Sequence, residues 1–334
     1  MLFTFFGFAL GLSAQPERKL KPPKEDKEPV TQTLEIPREP PVAISAETAK
    51  LVFHVSPLSA KGLFSQQVRD ALKALDRANG SANLVKIRAF VSGGGDLRRV
   101  ATIVSEELSD KKIPLPAVST IQVGGLPLEG AQVVLESVSV DKKSMNPAGL
   151  AFFSAQSPAQ LRAAAQSVGV NMLRVTCFLS SLEGVQALRS EVASAFPTAA
   201  ADFVQLTRLG VQPVTACEGV GRLEKPQAGP IDWVTVTSRP KIVFTGLQIA
   251  FRDQDSDLRL AFERMGKILE SQGAGYPDVI FSNTYSLNRS VAGKAAAVLL
   301  ENLKGARPAG TAQVVEGLPS LDATMALEVL AARN

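Results

Sequence analysis

Three glutamates carry the clearest chemical signal in this 334-residue chain. Glu136, Glu218 and Glu328 each lie on a strand-like run, ten, nine and ten positions after the leucine of a bend. The bends read Gly125-Leu126-Pro127, Arg208-Leu209-Gly210 and Gly317-Leu318-Pro319. A carboxylate repeated in one setting can position water or exchange a proton with a bound substrate. It can equally accept hydrogen bonds from backbone and hydroxyl groups and serve only the fold. Ser56, Ser154 and Thr245 end three short apolar strands, where their hydroxyls can donate to a neutral ligand or satisfy local backbone. His54 is the only histidine, so neither a Ser-His-Asp triad in each copy nor a His-rich metal site can be built. It alternates with Phe53 and Val55 and reads as a strand residue at a domain edge. Gly93-Gly94-Gly95-Asp96 lacks the Gly-Lys-Ser/Thr of a phosphate loop and reads as a strand-to-helix turn with Asp96 as N-cap. Trp233 and Tyr285 read as packing residues. No metal and no cofactor is implied.

The elements that must position these residues recur three times. Each copy opens with a short apolar strand: Leu51-Val52-Phe53-His54-Val55, Leu150-Ala151-Phe152-Phe153, and Ile242-Val243-Phe244. An amphipathic helix follows. Its stripe is cleanest in copy three, where Leu258, Ala261, Phe262, Met265, Ile268 and Leu269 share one face. Copy one carries Val68, Ala71, Leu72 and Leu75, and copy two only a stub from Leu161 to Val168. The three helices stop at Gly80, Gly169 and Gly273, glycine being the residue that tolerates positive φ there. A second strand, a second helix and two alternating strands around the bend complete each copy. Thr31 to Ile36 alternates as the first strand of the chain.

Composition bounds the rest. Apolar residues make up 45% and charged residues 20%, the balance of a globular protein with a sizeable core. The net charge of +4 is spread thinly and aromatic residues are 6%, so nucleic acid is not an expected partner. Residues 1–14 are an apolar run ending in small residues, too short to span a bilayer. They read as a signal peptide that directs export, periplasmic or secreted, with no membrane association after cleavage. Residues 15–30 form a Pro-rich, charged tether. Cys177 and Cys217 are either two buried thiols or a disulfide, and spacing does not choose between them.

Pro116-Ala117-Val118-Ser119-Thr120-Ile121-Gln122-Val123-Gly124-Gly125-Leu126-Pro127 and Pro308 to Pro319 resemble the P-A-R-[ST]-T-x-x-V-x-G-L-P segment of the Rid/YjgF family. These are the reactive-intermediate deaminases, also called L-PSP endoribonucleases. The resemblance implies an α+β fold of three tandem Rid/YjgF-like (bacterial chorismate-mutase-like) modules at 31–143, 144–226 and 227–334, the middle one truncated. Members of the family are homotrimers with ligand clefts between subunits. The expectation here is therefore a monomer with internal pseudo-three-fold symmetry. In the active deaminases the arginine of P-A-R-[ST] grips the substrate carboxylate bidentately. The corresponding positions are Val118, Ala201 and Gly310, so the guanidinium is absent from all three copies. The glutamates are expected in the interdomain clefts. Arg88, Arg208 and Arg289 are the nearest arginines, and their places on the pleat or turn imply that they point elsewhere. The expected function is that of an exported, catalytically degenerate protein that binds a small molecule in its clefts or acts as a scaffold. The alternative is an imine/enamine deaminase with a non-standard anchor. Ribonuclease activity has no basic surface behind it.

Overall fold

A computed structural model describes residues 38–93, 97–208, 214–227 and 231–334. The expected signal peptide, the tether, the strand at Thr31–Ile36, Asp96 as N-cap and the bend at Leu209-Gly210 lie outside the described residues.

Strand β1 (Ala43–Glu47) precedes the first unit: β2 (Leu51–Val55), α1 (Phe64–Asn79), β3 (Asn83–Ser92), α2 (Arg98–Asp110), β4 (Ala117–Val123) and β5 (Val133–Val140). The second unit repeats the order as β6 (Leu150–Gln156), α3 (Pro158–Val168), β7 (Val170–Leu179), α4 (Val185–Ala195), β8 (Ala200–Gln205) and β9 (Thr215–Leu223). After β10 (Val234–Thr237) comes the third: β11 (Lys241–Thr245), β12 (Gln248–Phe251), α5 (Asp255–Ser271), β13 (Val279–Ser286), α6 (Arg289–Leu303), β14 (Ala309–Val314) and β15 (Ala323–Arg333). Strand order is equivalent in the three sheets: β2-β5-β3-β4, β6-β9-β7-β8 and β11-β15-β13-β14. Each has one parallel pair, joined through its second helix, and each central strand carries a register shift at the same place: Leu84/Lys86, Met172/Arg174 and Val279/Phe281. The fold is α+β.

The central strands are buried on both faces, and their two-residue period sorts the side chains. In β3, Ile87, Ala89 and Val91 pack under α1 and α2, while Phe90 on the opposite pleat joins residues from the other two sheets. Three cores of this helix-on-sheet kind exist, one per unit. The stripe of α5 behaves as its spacing predicts, with Leu258, Ala261, Phe262, Met265 and Leu269 all buried. The short α3 is started by a capping box between Ser157 and Gln160. Two further cores draw on all three sheets. One contains Phe53, Phe152, Phe244 and Phe281, the other Phe90, Phe178 and Tyr285. The sheets thus bury their second faces against each other around a common axis, as a sheet covered on one side must.

The ring is closed by exchange. β1 leaves the first unit and pairs antiparallel with β11 of the third. β10, which the sequence assigns to the third unit, pairs with β6 of the second. Met145 and Asn146, which lead into the second unit, donate their backbone N–H groups to Ala49 of the first, at 2.6 and 2.8 Å. Gly149 makes this crossing possible: its φ is +99°, and a Cβ there would lie 2.2 Å from the Thr237 carbonyl oxygen. At the other end of the axis the bend of the first unit interlocks with both neighbours. Gly124 N–H donates to the Gln205 carbonyl at 2.7 Å, and Gln122 N–H to that of Gly317 at 3.0 Å.

Cys177 and Cys217 face each other across β7 and β9 and are joined in a disulfide, buried in the core of the second unit.

Candidate functional site: an ionic layer on the axis and two clefts beside it

The three glutamates occupy one register. Each faces a residue of the neighbouring central strand: Arg88 opposite Glu136, Thr176 opposite Glu218 and Asn283 opposite Glu328. All three carboxylates point at the axis rather than into clefts between units, and none is more than 2% exposed. This corrects the placement expected from the sequence, and the cause is the pleat. Two positions from each glutamate on the same face lie Val138, Val220 and Leu330, which belong to or pack against the axial core. The carboxylates must follow them inward.

Arg88 lies among them, so the expectation that it points elsewhere is wrong, for the same reason. Its Nε donates to Glu136 Oε2 at 2.6 Å, and its Nη2 to Glu136 Oε1 at 3.0 Å and to Glu218 Oε1 at 2.6 Å. Nη1 donates to the Tyr285 hydroxyl at 3.2 Å, which in turn donates to Glu328 Oε1 at 3.1 Å. Thr176 and Thr311 donate to Glu136 and Glu218. Lys86, two residues before Arg88, donates to Glu328 at 2.7 Å, to Ser119 Oγ at 2.5 Å and to the Thr245 carbonyl at 2.6 Å. Arg174 Nη1 stands 3.3 Å from Glu136, with its guanidinium over the Phe53 ring. Three carboxylates therefore meet three cations in a layer between the two axial apolar cores. A small cavity of about 30 Å³ remains there, enough for water.

Burial alone would raise the pKa of Glu136. Arg174 and Arg88 outweigh it and hold the carboxyl down to about 2. Burial likewise opposes ionisation of Glu328, and Lys86 and then Arg88 bring it to about 2. Burial lowers the Lys86 pKa, and Glu328 restores only part of the loss. Asp202, 4% exposed, sits beside this layer, and no donor reaches either oxygen of its carboxylate form. Burial, and behind it the charge of Glu136, push its pKa well above the ordinary value, so the acid keeps its proton and can offer it to Glu136. A general acid or base works best with a pKa near the working pH. Carboxyls held near 2 with their lone pairs engaged are tuned the other way.

The remaining predicted positions scatter. Ser56 Oγ accepts from Leu135 N–H at 2.9 Å, and Thr245 Oγ1 accepts from Val329 N–H at 3.0 Å, so both hydroxyls serve the backbone beside a glutamate. Ser154 Oγ accepts from Gly310 N–H of the third unit at 3.0 Å. Val118, Ala201 and Gly310 share one register, opposite Ile87, Val175 and Ser282. Val118 packs against the helix core of its unit. Ala201 lines a cleft of about 410 Å³ between the first and second units, with Ser56, Arg189 and Phe203. Gly310 lines a larger one of about 610 Å³ between the second and third, with Ser154 and Trp233. A Cβ at Gly310 would meet the Ser282 carbonyl and hydroxyl oxygens at 2.7 Å, so a side chain is excluded there. Arg208 and Arg289 are exposed. His54 is bonded to Asn79 at 2.8 Å. Tyr285 packs on the axis as expected, but Trp233 is 67% exposed and is not a packing residue, because its residue lies in a turn with φ +65° that turns the indole out of the sheet. Lys86, Arg174 and Asp202 are charged members of the axial layer that the sequence did not single out, and Arg88 is one whose direction it gave wrongly. Their signal was charge at alternate positions inside otherwise apolar strands.

No family model and no curated protein matches the chain. Solved structures do match it. Rv2704 from Mycobacterium tuberculosis, a member of the YjgF/YER057c/UK114 family, is similar at 21% identity over 30% of this chain and 84% of that one, with a TM-score of 0.27. RidA from the Antarctic bacterium Psychrobacter sp. PAMC 21119 is similar at 21% identity over 32% and 92%, again with a TM-score of 0.27. Yeast Mmf1 is similar at 16% identity over 33% and 91%, with a TM-score of 0.27.

Proposed function

We propose that this chain is a non-catalytic relative of the Rid/YjgF deaminases, exported by its N-terminal segment, that binds a small molecule in the clefts between its units or serves as a scaffold. One observation carries the reading: Arg88 engages Glu136 and Glu218, and Lys86 engages Glu328, in charge-assisted bonds of 2.6–3.0 Å. The only carboxylates that the resemblance offers for water activation are thereby committed to the fold. The positions of the family's substrate arginine hold valine, alanine and glycine, which supports the same conclusion. The two clefts, at about 410 and 610 Å³, fall in the ordinary size range of ligand pockets.

One feature favours the rival deaminase. Arg189, on α4, lines the smaller cleft beside Ala201 and has no carboxylate partner among the described residues, only the Phe203 ring at 5.5 Å. A guanidinium there can stand in for the missing one. Generating 2-iminobutanoate in place with an amino-acid oxidase and following keto-acid release separates the readings. The expected result is no acceleration above the uncatalysed rate. Acceleration that disappears in Arg189→Gln would establish the enzyme instead.

A further inference from the structure

The cleft between the second and third units combines three features. Trp233 stands at its mouth with a largely exposed indole, held on a left-handed residue at φ +65°. A bulky side chain in that region is a costly conformation of the kind found at ligand clamps. The Trp233 carbonyl is tied down by Ser154 N–H at 2.8 Å, so the turn is anchored to the sheet edge. Deeper in the cleft, Ser282 and Thr284 project from β13, only 5% and 6% exposed. Neither hydroxyl has a hydrogen-bond partner in the protein among the described residues, yet neither is sealed from solvent. The Ser282 hydroxyl points across the gap that Gly310 leaves open. Arg307 and Asp232 lie at the exposed rim with opposite charges, so the mouth carries no net sign.

We infer that this cleft takes an uncharged planar ring, stacked on the Trp233 indole, with hydrogen-bonding edge atoms directed to Ser282 and Thr284. The inference rests on the proposed small-molecule binding and narrows it to one cleft and one chemical class. An aromatic face offers stacking to any flat ring, and two free hydroxyls, each a donor and an acceptor, complement a ring edge that carries both. Ser154, Thr235 and Thr311, the other polar side chains of the lining inside the rim, are neutral too, so the interior gives no compensation for burying a charge.

Trp233 is the chain's one tryptophan, so emission excited at 295 nm reports this cleft alone. Nicotinamide and uracil are the probes, and glucose is the non-planar control. The expected result is saturable quenching by a planar probe, with protection of the indole from acrylamide. Removing the edge contacts in Ser282→Ala and Thr284→Val should weaken that binding about fivefold each, the value of one hydrogen bond. Melting temperatures without probe identify any variant that has lost its fold. Quenching that stays linear for both planar probes overturns the inference, as does saturation by glucose alone or saturation indifferent to both substitutions. A small carboxylate that raises the melting temperature while leaving Trp233 emission unchanged would overturn this inference and leave small-molecule binding standing. No response to any of the four compounds by either readout would remove both.

Discussion

Replacing Arg88 by methionine tests the ionic layer directly. The guanidinium makes three short charge-assisted bonds to two carboxylates, Glu136 and Glu218, all at 4% side-chain exposure or less. Methionine has much of the volume and none of the charge, so the substitution leaves two buried carboxylates short of a partner. Breaking one buried pair costs about 3–5 kcal/mol, and Arg88 serves two, so a loss of about 4 kcal/mol or more is expected. That is a large part of the roughly 5–15 kcal/mol that holds a domain together. The pH dependence gives the sharper reading. In the native protein Glu136 and Glu328 are depressed from 4.5 to about 2. Their contribution, on the order of 3 kcal/mol each, is therefore fully present above pH 4.5 and lost as pH falls toward 2. In Arg88→Met the carboxylates lose a counter-charge, so the gap between the two proteins must widen from pH 3 to pH 7. Urea unfolding followed by circular dichroism at several pH values measures it. A loss under 1 kcal/mol at pH 7, or a gap independent of pH, would refute the electrostatic account.

Two further perturbations act on the same architecture. Asp202→Asn should stabilise the protein at pH 7. The folded acid retains a proton above its usual 3.8 that the unfolded chain releases, so native stability declines as pH rises past that value and the amide removes the decline. Parallel urea curves at pH 5 and 8 check it, and equal curves for the two proteins would count against a protonated Asp202. Refolding under dithiothreitol opens the Cys177–Cys217 bond, which spans a sequence separation of 40, and should lower stability by about 4 kcal/mol on the loop-entropy scale. An unchanged urea midpoint would show that the bond adds nothing.

The repeat was legible because periodicity and punctuation are local. The α5 stripe, the stops at Gly80 and Gly169 and the bends at Leu126 and Leu318 need no knowledge of what lies across the axis. Partner choice is not local. β1 and β10 carry nothing in their own residues to say that they leave the unit they precede, since any half-buried edge can accept an alternating strand. The glutamates were found from spacing, but their surroundings were not. Whether Arg88 points outward depends on which pleat of β3 faces helices, and Ile87, Ala89 and Val91 decide that only once α1 and α2 are seen to cover them. The run Val85-Lys86-Ile87-Arg88-Ala89-Phe90-Val91 did contain the clue. Two cations at alternate places in a strand otherwise fit for burial on both faces demand buried anions opposite.

A single arginine among the three places that face the glutamates is a solution open only to a chain whose units differ. In a ring of identical subunits the residue facing the glutamate is the same in every copy, so an arginine there would bring three guanidiniums against three carboxylates around one point. Here the three places hold Arg88, Thr176 and Asn283. The Arg88 guanidinium bridges Glu136 and Glu218, Asn283 donates to Glu328 at 3.1 Å, and Lys86 and Arg174 supply the remaining charge. Each carboxylate is satisfied by a different set of donors, which fixes the units in one cyclic order rather than three interchangeable ones. The exchanged strands act in the same direction, because β1 fits the third sheet and β10 the second. Three unequal units thus make an addressed interior rather than a symmetric one. The clefts are no more alike than the units: one presents Arg189 beside Ala201, and another presents Trp233 beside Gly310, where the backbone leaves no room for a side chain.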